Sequence, residues 1–139
     1  MTPKQYLQRA FFLDQQINNK LDQVAYLNCL ACKVTSTLSD MPIHKKTASS
    51  TVEDIILNIV TLQEEVNQVI DELVDIKREI VRLIHQVESI DIRMVLEKRY
   101  LNFKTFEQIA VDLNFTIRHV YRLHHRGLEE VGKIIERCQ

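Results

Sequence analysis

The feature that most constrains this chain is a run of apolar residues spaced alternately three and four positions apart from Val52 to Met94. This alternation has the 3.5-residue period of a left-handed coiled coil. A helix cannot leave such a stripe in water, so the stripe must pack against another helix. Its members are Val52, Ile55, Ile59, Leu62, Val66, Val69, Leu73, Ile76, Ile80, Leu83, Val87, Ile90 and Met94.

A first helix is predicted to provide part of the cover. It begins with Thr2 as a cap and Pro3 in the first turn, which is a favourable order for a helix start. Residues 39–50 are polar and are predicted to form the turn of an antiparallel hairpin. Ser50 and Glu53 predict a capping box at the start of a second helix over residues 51–88. The apolar positions of the first helix are Leu7, Ala10, Leu13, Ile17, Leu21, Val24, Leu27, Ala31, Val34 and Leu38.

The stripe on the second helix is wider than one partner helix can cover. Isoleucines and valines widen it beyond its two seam positions, and such breadth is typical of a helix packed on two or more neighbours. We therefore expect a homo-oligomer, a dimer with a four-helix stem, with a monomeric hairpin as the alternative. The widening residues are Ile56, Val60, Ile70, Val74, Val81 and Ile84.

Composition favours an all-α fold and argues against several other classes. Among 139 residues there are only 2 Gly and 2 Pro, too few for the turns of a β-rich fold or for a glycine-rich phosphate loop. No apolar run has the length of a membrane span and no secretion signal is present, so we expect a cytoplasmic protein. Cys29 and Cys32 have CxxC spacing within a predicted helix, without a second pair, and are expected to face the core. We expect no metal, no cofactor and no enzymatic activity.

The segment from Thr105 to Arg126 has the pattern of a helix-turn-helix. Ala110 occupies the close approach between two helices, and Asn114 occupies a turn position that needs a left-handed backbone. Thr105 with Gln108 forms a capping box for the first helix, and Thr116 caps the second. Double-stranded DNA is the predicted ligand.

The exposed face of the second helix in this motif is basic. Arg118, Arg122 and Arg126 recur every four residues, and no acidic residue lies between Asp112 and Glu129. Residues 93–139 contain 9 Lys and Arg against 6 Asp and Glu, whereas residues 1–92 contain 9 against 13. A basic end on an acidic body is expected when only that end contacts a polyanion. The predicted DNA-binding residues are Lys104, Thr105, Thr116, Ile117, Arg118, His119, Tyr121, Arg122, His125 and Arg126.

The segments 93–100, 105–110 and 120–123, together with Leu128, resemble region four of bacterial sigma factors. The whole chain further resembles phage and prophage regulators of the autolysin-regulator and late-gene-activator type, through residues 2–7, 13–17, 35–42, 53–56 and 73–80. The resemblance implies an accessory transcription regulator that also contacts RNA polymerase. It implies that Ile117, Arg118, His119 and Arg122 read bases, and that Thr116, Tyr121 and Arg126 lie against the DNA backbone.

Two domains are predicted: a coiled-coil hairpin over residues 1–88 and a DNA-binding domain over residues 89–139. Ser89 and Asp91 can cap a new helix, so we expect the second helix to break near residues 88–91. Two other functions stay open. One is a small DNA-packaging subunit of the terminase type, and the other is a protein-interaction module that does not bind DNA.

Overall fold

The computed structural model describes residues 1–38 and 45–138, and in these residues all regular secondary structure is helical. The fold is all-α, as predicted. None of the described helices is long and apolar enough to cross a membrane. The helices are α1 (Pro3–Leu38), α2 (Lys45–Ile84), α3 (Ile90–Tyr100), α4 (Phe106–Leu113) and α5 (Ile117–Cys138).

Local signals define where several helices begin. The Thr2 hydroxyl accepts a hydrogen bond from the backbone N–H of Gln5, which confirms the cap predicted for α1. Ser89 caps α3 by accepting from the N–H of Ile92, so the predicted break after α2 is also confirmed. The break begins earlier in the sequence than expected, because α2 ends at Ile84 rather than near residue 88. Consequently Ile90 and Met94 do not continue the apolar seam and are exposed.

The start of α2 also differs from the prediction. The helix already includes Lys45, so Ser50 and Glu53 lie within it and do not form its cap. Lys45 and Lys46 are good helix formers, so the polar composition that suggested a turn does not prevent a helix here. Of the predicted 39–50 turn, residues 39–44, which include Pro42 and His44, lie outside the described residues.

The chain forms two compact units. The larger unit consists of residues 1–13 and 72–139, and the smaller unit consists of residues 14–71. The predicted domain boundary between residues 88 and 89 falls inside the larger unit. The core of the larger unit combines residues from all five helices: Leu7, Ala10, Ile80, Leu83, Ile84, Val87, Ile92, Val95, Leu96, Tyr100, Ile109, Ala110, Val120, Leu123, Val131 and Ile134.

Within the smaller unit, α1 and α2 are joined by an ion pair between Lys20 and Glu65, with 2.7 Å between nitrogen and oxygen. Its buried apolar residues are Ile17, Val24, Ile55 and Val66. Leu21 was expected on the covered face of α1 but is exposed, and so are Cys29 and Cys32. The two cysteines miss the face of Val24, Leu27 and Ala31, because each is rotated by 100° or more from it around the helix.

Candidate nucleic-acid interface

The α4–α5 pair is held in a fixed geometry by its turn. Asn114 ends α4 with a left-handed backbone, at φ 56° and ψ 41°, as the sequence predicted. The Phe115 N–H then donates to the Ala110 carbonyl at 2.9 Å, and the Thr116 hydroxyl accepts from the N–H of His119 at 3.2 Å. Since these bonds satisfy backbone groups at both helix ends, the direction of α5 relative to α4 is fixed locally.

The start of α4 is fixed in the same way. Thr105 and Gln108 form the predicted capping box, because each side chain accepts a hydrogen bond from the other residue's backbone N–H. The N–H of Thr105 is therefore already used within the protein, whereas its hydroxyl accepts from Gln108 and keeps its own O–H free to donate to a phosphate. Ile109 and Val120 are fully buried between the helices, and Ala110 is buried beside them.

The outer face of α5 carries three unpaired arginines. Arg118, Arg122 and Arg126 are all exposed, and none forms an ion pair or side-chain hydrogen bond with any described residue. No acidic residue lies in the first turn of α5, where the helix dipole already favours an anion. This face therefore presents positive charge that no described part of the chain neutralises.

Some of the aromatic and histidine side chains beside these arginines pack against other rings of the protein. The ring of Tyr121 lies 4.9 Å from that of Phe106, yet the side chain remains exposed. His119 is half-buried and packs edge-on against Phe115, with 4.9 Å between ring centroids. His125 is exposed and its Nε2 lies 3.2 Å from a carboxylate oxygen of Glu129. Of the other predicted site residues, Ile117 and Thr116 are exposed.

Lys104, another predicted DNA-binding residue, is held by an ion pair within the protein. Its ammonium group binds the carboxylate of Asp112 at 2.5 Å, and the same carboxylate lies 3.6 Å from Lys98. The hydrogen bond from Lys104 lowers the pKa of Asp112, so the acid stays ionised and holds both lysines. Lys104 and Thr105 thus stabilise the start of α4, whereas the arginines lie free on α5.

A half-buried polar group behind this face was not predicted. His124 packs between Tyr100 and Phe106, and the Tyr100 hydroxyl lies 2.6 Å from its Nε2 atom. Burial, with a contribution from Arg99, lowers the pKa of His124 to about 4, and burial raises that of Tyr100 to about 12. Tyr100 therefore stays protonated beside a neutral imidazole. Helical spacing could have indicated this inward position, because His124 follows Val120 by one turn on the core-facing side of α5.

One of the two glycines in α5 permits a close contact with α3. Gly127 and Gly132 both have low helix propensity, yet α5 is continuous to Cys138. A Cβ atom on Gly127 would lie 3.0 Å from Ile92 and 3.1 Å from Leu96 of α3. The absence of a side chain at Gly127 therefore permits the close approach of α5 to α3, which outweighs its low helix propensity.

Comparison with known proteins places the chain in a family without giving it a function. No curated protein and no solved structure matches the chain. The family model described as "Protein of unknown function (DUF1492)" matches residues 33–131, which is most of the sequence. The chain therefore belongs to the DUF1492 family.

Proposed function

We propose that this protein is a sequence-specific DNA-binding transcription regulator of phage or prophage genes, acting with RNA polymerase in the cytoplasm of a bacterial host. The observation that carries the proposal is the exposed, unpaired set of Arg118, Arg122 and Arg126 on one face of α5. An arginine without an intramolecular partner can bind a phosphate or a guanine edge without first breaking an ion pair.

The geometry of α4 and α5 supports a helix-turn-helix. In that motif the second helix enters the major groove and its first residues contact bases, while the first helix crosses the DNA backbone. Here the turn at Asn114 and the cap at Thr116 fix the start of α5, where Arg118 and Arg122 are exposed. The resemblance to sigma region four concerns these same helices.

We assign roles within the interface by what each side chain is free to do. Arg118 and Arg122, with Ile117 beside them, read base edges, while Arg126, Tyr121 and Thr116 contact the backbone. His119 is half-buried against Phe115, so it contacts a base with the part of its ring that stays exposed. Lys104 is held by Asp112 and adds to the positive potential without a direct contact.

The test is DNA binding by arginine variants. An operator would first be selected from random duplexes with the full-length protein. Arg118→Ala and Arg122→Ala are each expected to lower affinity for it by roughly 1–3 kcal/mol, or about 5- to 150-fold, because each removes a base contact. Arg126→Ala is expected to weaken all duplexes alike and to reduce the salt dependence of binding, since it removes a phosphate contact.

Arg82→Ala is the matched control. It removes the same charge from an exposed position on α2 and should leave operator affinity unchanged within about twofold. If Arg118→Ala and Arg122→Ala both bound the operator as tightly as the unaltered protein, the assignment of α5 as the reading helix would be refuted.

A protein-interaction role for the same helices is supported by one exposed apolar residue. Val111 is 81% exposed on α4, and this surface would suit contact with RNA polymerase or another protein. If the chain bound no duplex even at low salt, an interaction module would replace the DNA-binding proposal, because phosphate contacts alone should give measurable affinity. Val111→Ser should then weaken polymerase binding without affecting the fold.

We also propose that α1 and α2 form an antiparallel hairpin through which two chains associate. The support is the apolar surface left on α2 of the smaller unit, where Ile56, Leu57 and Val60 are each at least 45% exposed. Few soluble monomeric helices expose a continuous apolar stripe of this kind.

A further inference from the structure

A second stripe on α2, which we call the outer stripe, is arranged symmetrically about position 65. Its apolar members Ile56, Val60, Ile70 and Val74 are between 39% and 50% exposed. Gln63 and Asn67 lie between them and are exposed. Glu53 precedes the stripe and Lys77 follows it, at the same alternating steps of three and four.

Each member of the outer stripe has a complementary member at the same distance on the other side of position 65. Gln63 mirrors Asn67, and Val60 mirrors Ile70. Farther out, Ile56 mirrors Val74, and the acidic Glu53 mirrors the basic Lys77. We propose that two copies of this chain pair antiparallel through the outer stripes of α2, with a two-fold axis at position 65.

In that pairing every residue meets its complement. A two-fold axis makes residue i contact residue j while j contacts i, so each mirror pair forms two identical layers. The paired helices would have four Ile–Val layers, a central pair of Gln–Asn amide layers, and a Glu53–Lys77 ion pair at each end. Alternating steps of three and four also suit antiparallel coiled coils, because they bring a positions opposite d positions.

The polar layers exclude the other arrangements. In a parallel pair, Glu53 would face Glu53 and Lys77 would face Lys77, which is repulsive at both ends. An antiparallel pair shifted by one heptad would place Val60 opposite Lys77 and Val74 opposite Gln63. Charge and amide complementarity therefore select a second copy, one orientation and one register.

Lys77 is able to complete the ion pair from its observed position. Its ammonium lies 4.9 Å from the centroid of the Phe103 ring within the larger unit. This contact engages one side of the group, and an ammonium has three donors, so a carboxylate can bind on the other side. Arg78 is exposed next to it and adds positive charge opposite Glu53 of the second copy.

The pairing has a consequence for the DNA-binding ends. Twelve residues separate position 65 from Lys77, so the two copies of Lys77 would lie about 36 Å apart along the paired helices. Residues 72–84 of α2 belong to the larger unit, which contains α5. The pairing therefore places residues 72–84 of the two copies on opposite sides of the two-fold axis.

This inference rests on the self-association part of the proposed function and not on DNA binding, so it is tested without DNA. The dissociation constant of the full-length dimer would be measured by sedimentation equilibrium. Glu53→Lys should weaken association about tenfold or more, because it places two lysines opposite each other at both ends. The double variant Glu53→Lys with Lys77→Glu restores opposite charges and should return the constant to within about threefold.

Asp54→Lys is the matched control. It makes the same charge change one position away, off the outer stripe, and should alter the dissociation constant by no more than about twofold. A parallel dimer would respond differently: Glu53→Lys would leave its affinity unchanged, because like charges meet at position 53 in both proteins. That result would overturn the antiparallel pairing.

Cross-linking gives an independent reading of the register. In a background with Cys29, Cys32 and Cys138 changed to Ser, the single variants Val60→Cys and Ile70→Cys would be mixed and treated with a short thiol cross-linker. The pairing predicts cross-links mainly between 60 and 70 of different chains. Dominant 60–60 cross-links would overturn the register but leave self-association intact.

A monomer at micromolar concentration, or a ring of eight or more subunits, would overturn the dimer. The assignment of α5 to DNA would stand in each case.

Discussion

The two compact units of this chain bury their apolar side chains to very different degrees. The larger unit contains sixteen buried hydrophobic residues in one continuous cluster. Among the side chains that the structure describes in residues 14–71, only Ile17, Val24, Ile55 and Val66 are buried. Tyr26 and Leu57 of this smaller unit are each more than 60% exposed.

The difference follows from how many helices cover each side chain. In the larger unit, segments of five helices contribute to the cluster, so a residue such as Leu96 is covered from several directions. Among the described residues of the smaller unit, only α1 and α2 are available, and a helix that faces one neighbour can cover one stripe. The larger unit therefore has a continuous core, while the second stripe of the smaller unit stays exposed among the described residues.

The largest expected effect tests this contrast directly. Leu96→Ala removes a fully buried side chain beside Gly127 and should lower the free energy of unfolding by about 2–5 kcal/mol. Val60→Ala removes a side chain that is 45% exposed and should change the monomer by less than about 0.5 kcal/mol. Urea unfolding of each variant at low protein concentration measures both values.

Hydrogen exchange would locate the loss in each variant. In Leu96→Ala, exchange should quicken at the amides of α3 and α5, where the cavity forms. Equal destabilisation by the two substitutions would show that the smaller unit is as fully covered as the larger one, and the contrast between the units would fail.

Sequence patterns predicted much of this architecture because they report local requirements. The left-handed turn at Asn114, the capping box at Thr105, the cap at Thr2 and the helix start at Ser89 each depend on residues within a few positions of one another. The 3.5-residue period predicted α2 for the same reason. The unpaired arginines of α5 were also predictable, since residues 113–128 contain no acidic side chain that could neutralise them.

Features that depend on distant neighbours were not predictable in this way. The heptad pattern extended beyond Ile84, yet the helix ends there and Ile90 is exposed. Low helix propensity would make Gly127 a weak point in α5, but its lack of a side chain permits the contact with α3. The neutral state of His124 depends first on its burial against Tyr100 and then on Arg99, and both residues are more than twenty positions away in the sequence. In these two cases the deciding contact is tertiary, and helical periodicity carries no information about it.

A smaller effect, dependent on pH, should be confined to the larger unit. The pKa of His124 is lowered to about 4 from 6.5, so the unfolded chain binds a proton at this site more readily than the folded chain. Stability from the neutral imidazole is therefore complete above pH 6.5 and is lost as the pH falls towards 4. The ring keeps some solvent exposure, which weakens the effect of the pKa shift on stability. We therefore expect the free energy of unfolding to fall by about 1–2 kcal/mol over this range.

Thermal unfolding between pH 4 and pH 7 measures this dependence. His124→Gln cannot be protonated and should flatten the profile over that window, while lowering stability at pH 7 through lost packing against Phe106. His125→Gln is the control, because His125 is the exposed neighbour and should leave the slope unchanged. A profile that kept its slope in His124→Gln would show that another group causes the acid sensitivity.

The smallest expected effects come from the same substitution made in each unit, and they should have opposite signs. Asn114 in the larger unit has a left-handed backbone, which alanine adopts at a cost of about 1–2 kcal/mol, so Asn114→Ala should destabilise the protein. Asn114→Gly should be tolerated within about 0.5 kcal/mol, because glycine adopts this backbone freely. Asn67 in the smaller unit is exposed within α2, where alanine is the better helix former, so Asn67→Ala should stabilise the monomer by up to about 0.7 kcal/mol.

Association adds a second readout that separates the two asparagines. Asn67→Ala removes one side of the proposed central amide layers and should reduce the preference for one register, so that 60–60 cross-links appear beside 60–70 cross-links. Asn114→Ala lies in the turn before α5 and should leave association unchanged while weakening operator binding, because it disturbs the angle at which α5 is held. If Asn114→Ala did not destabilise the protein, backbone conformation at Asn114 would not be the reason that asparagine is needed there.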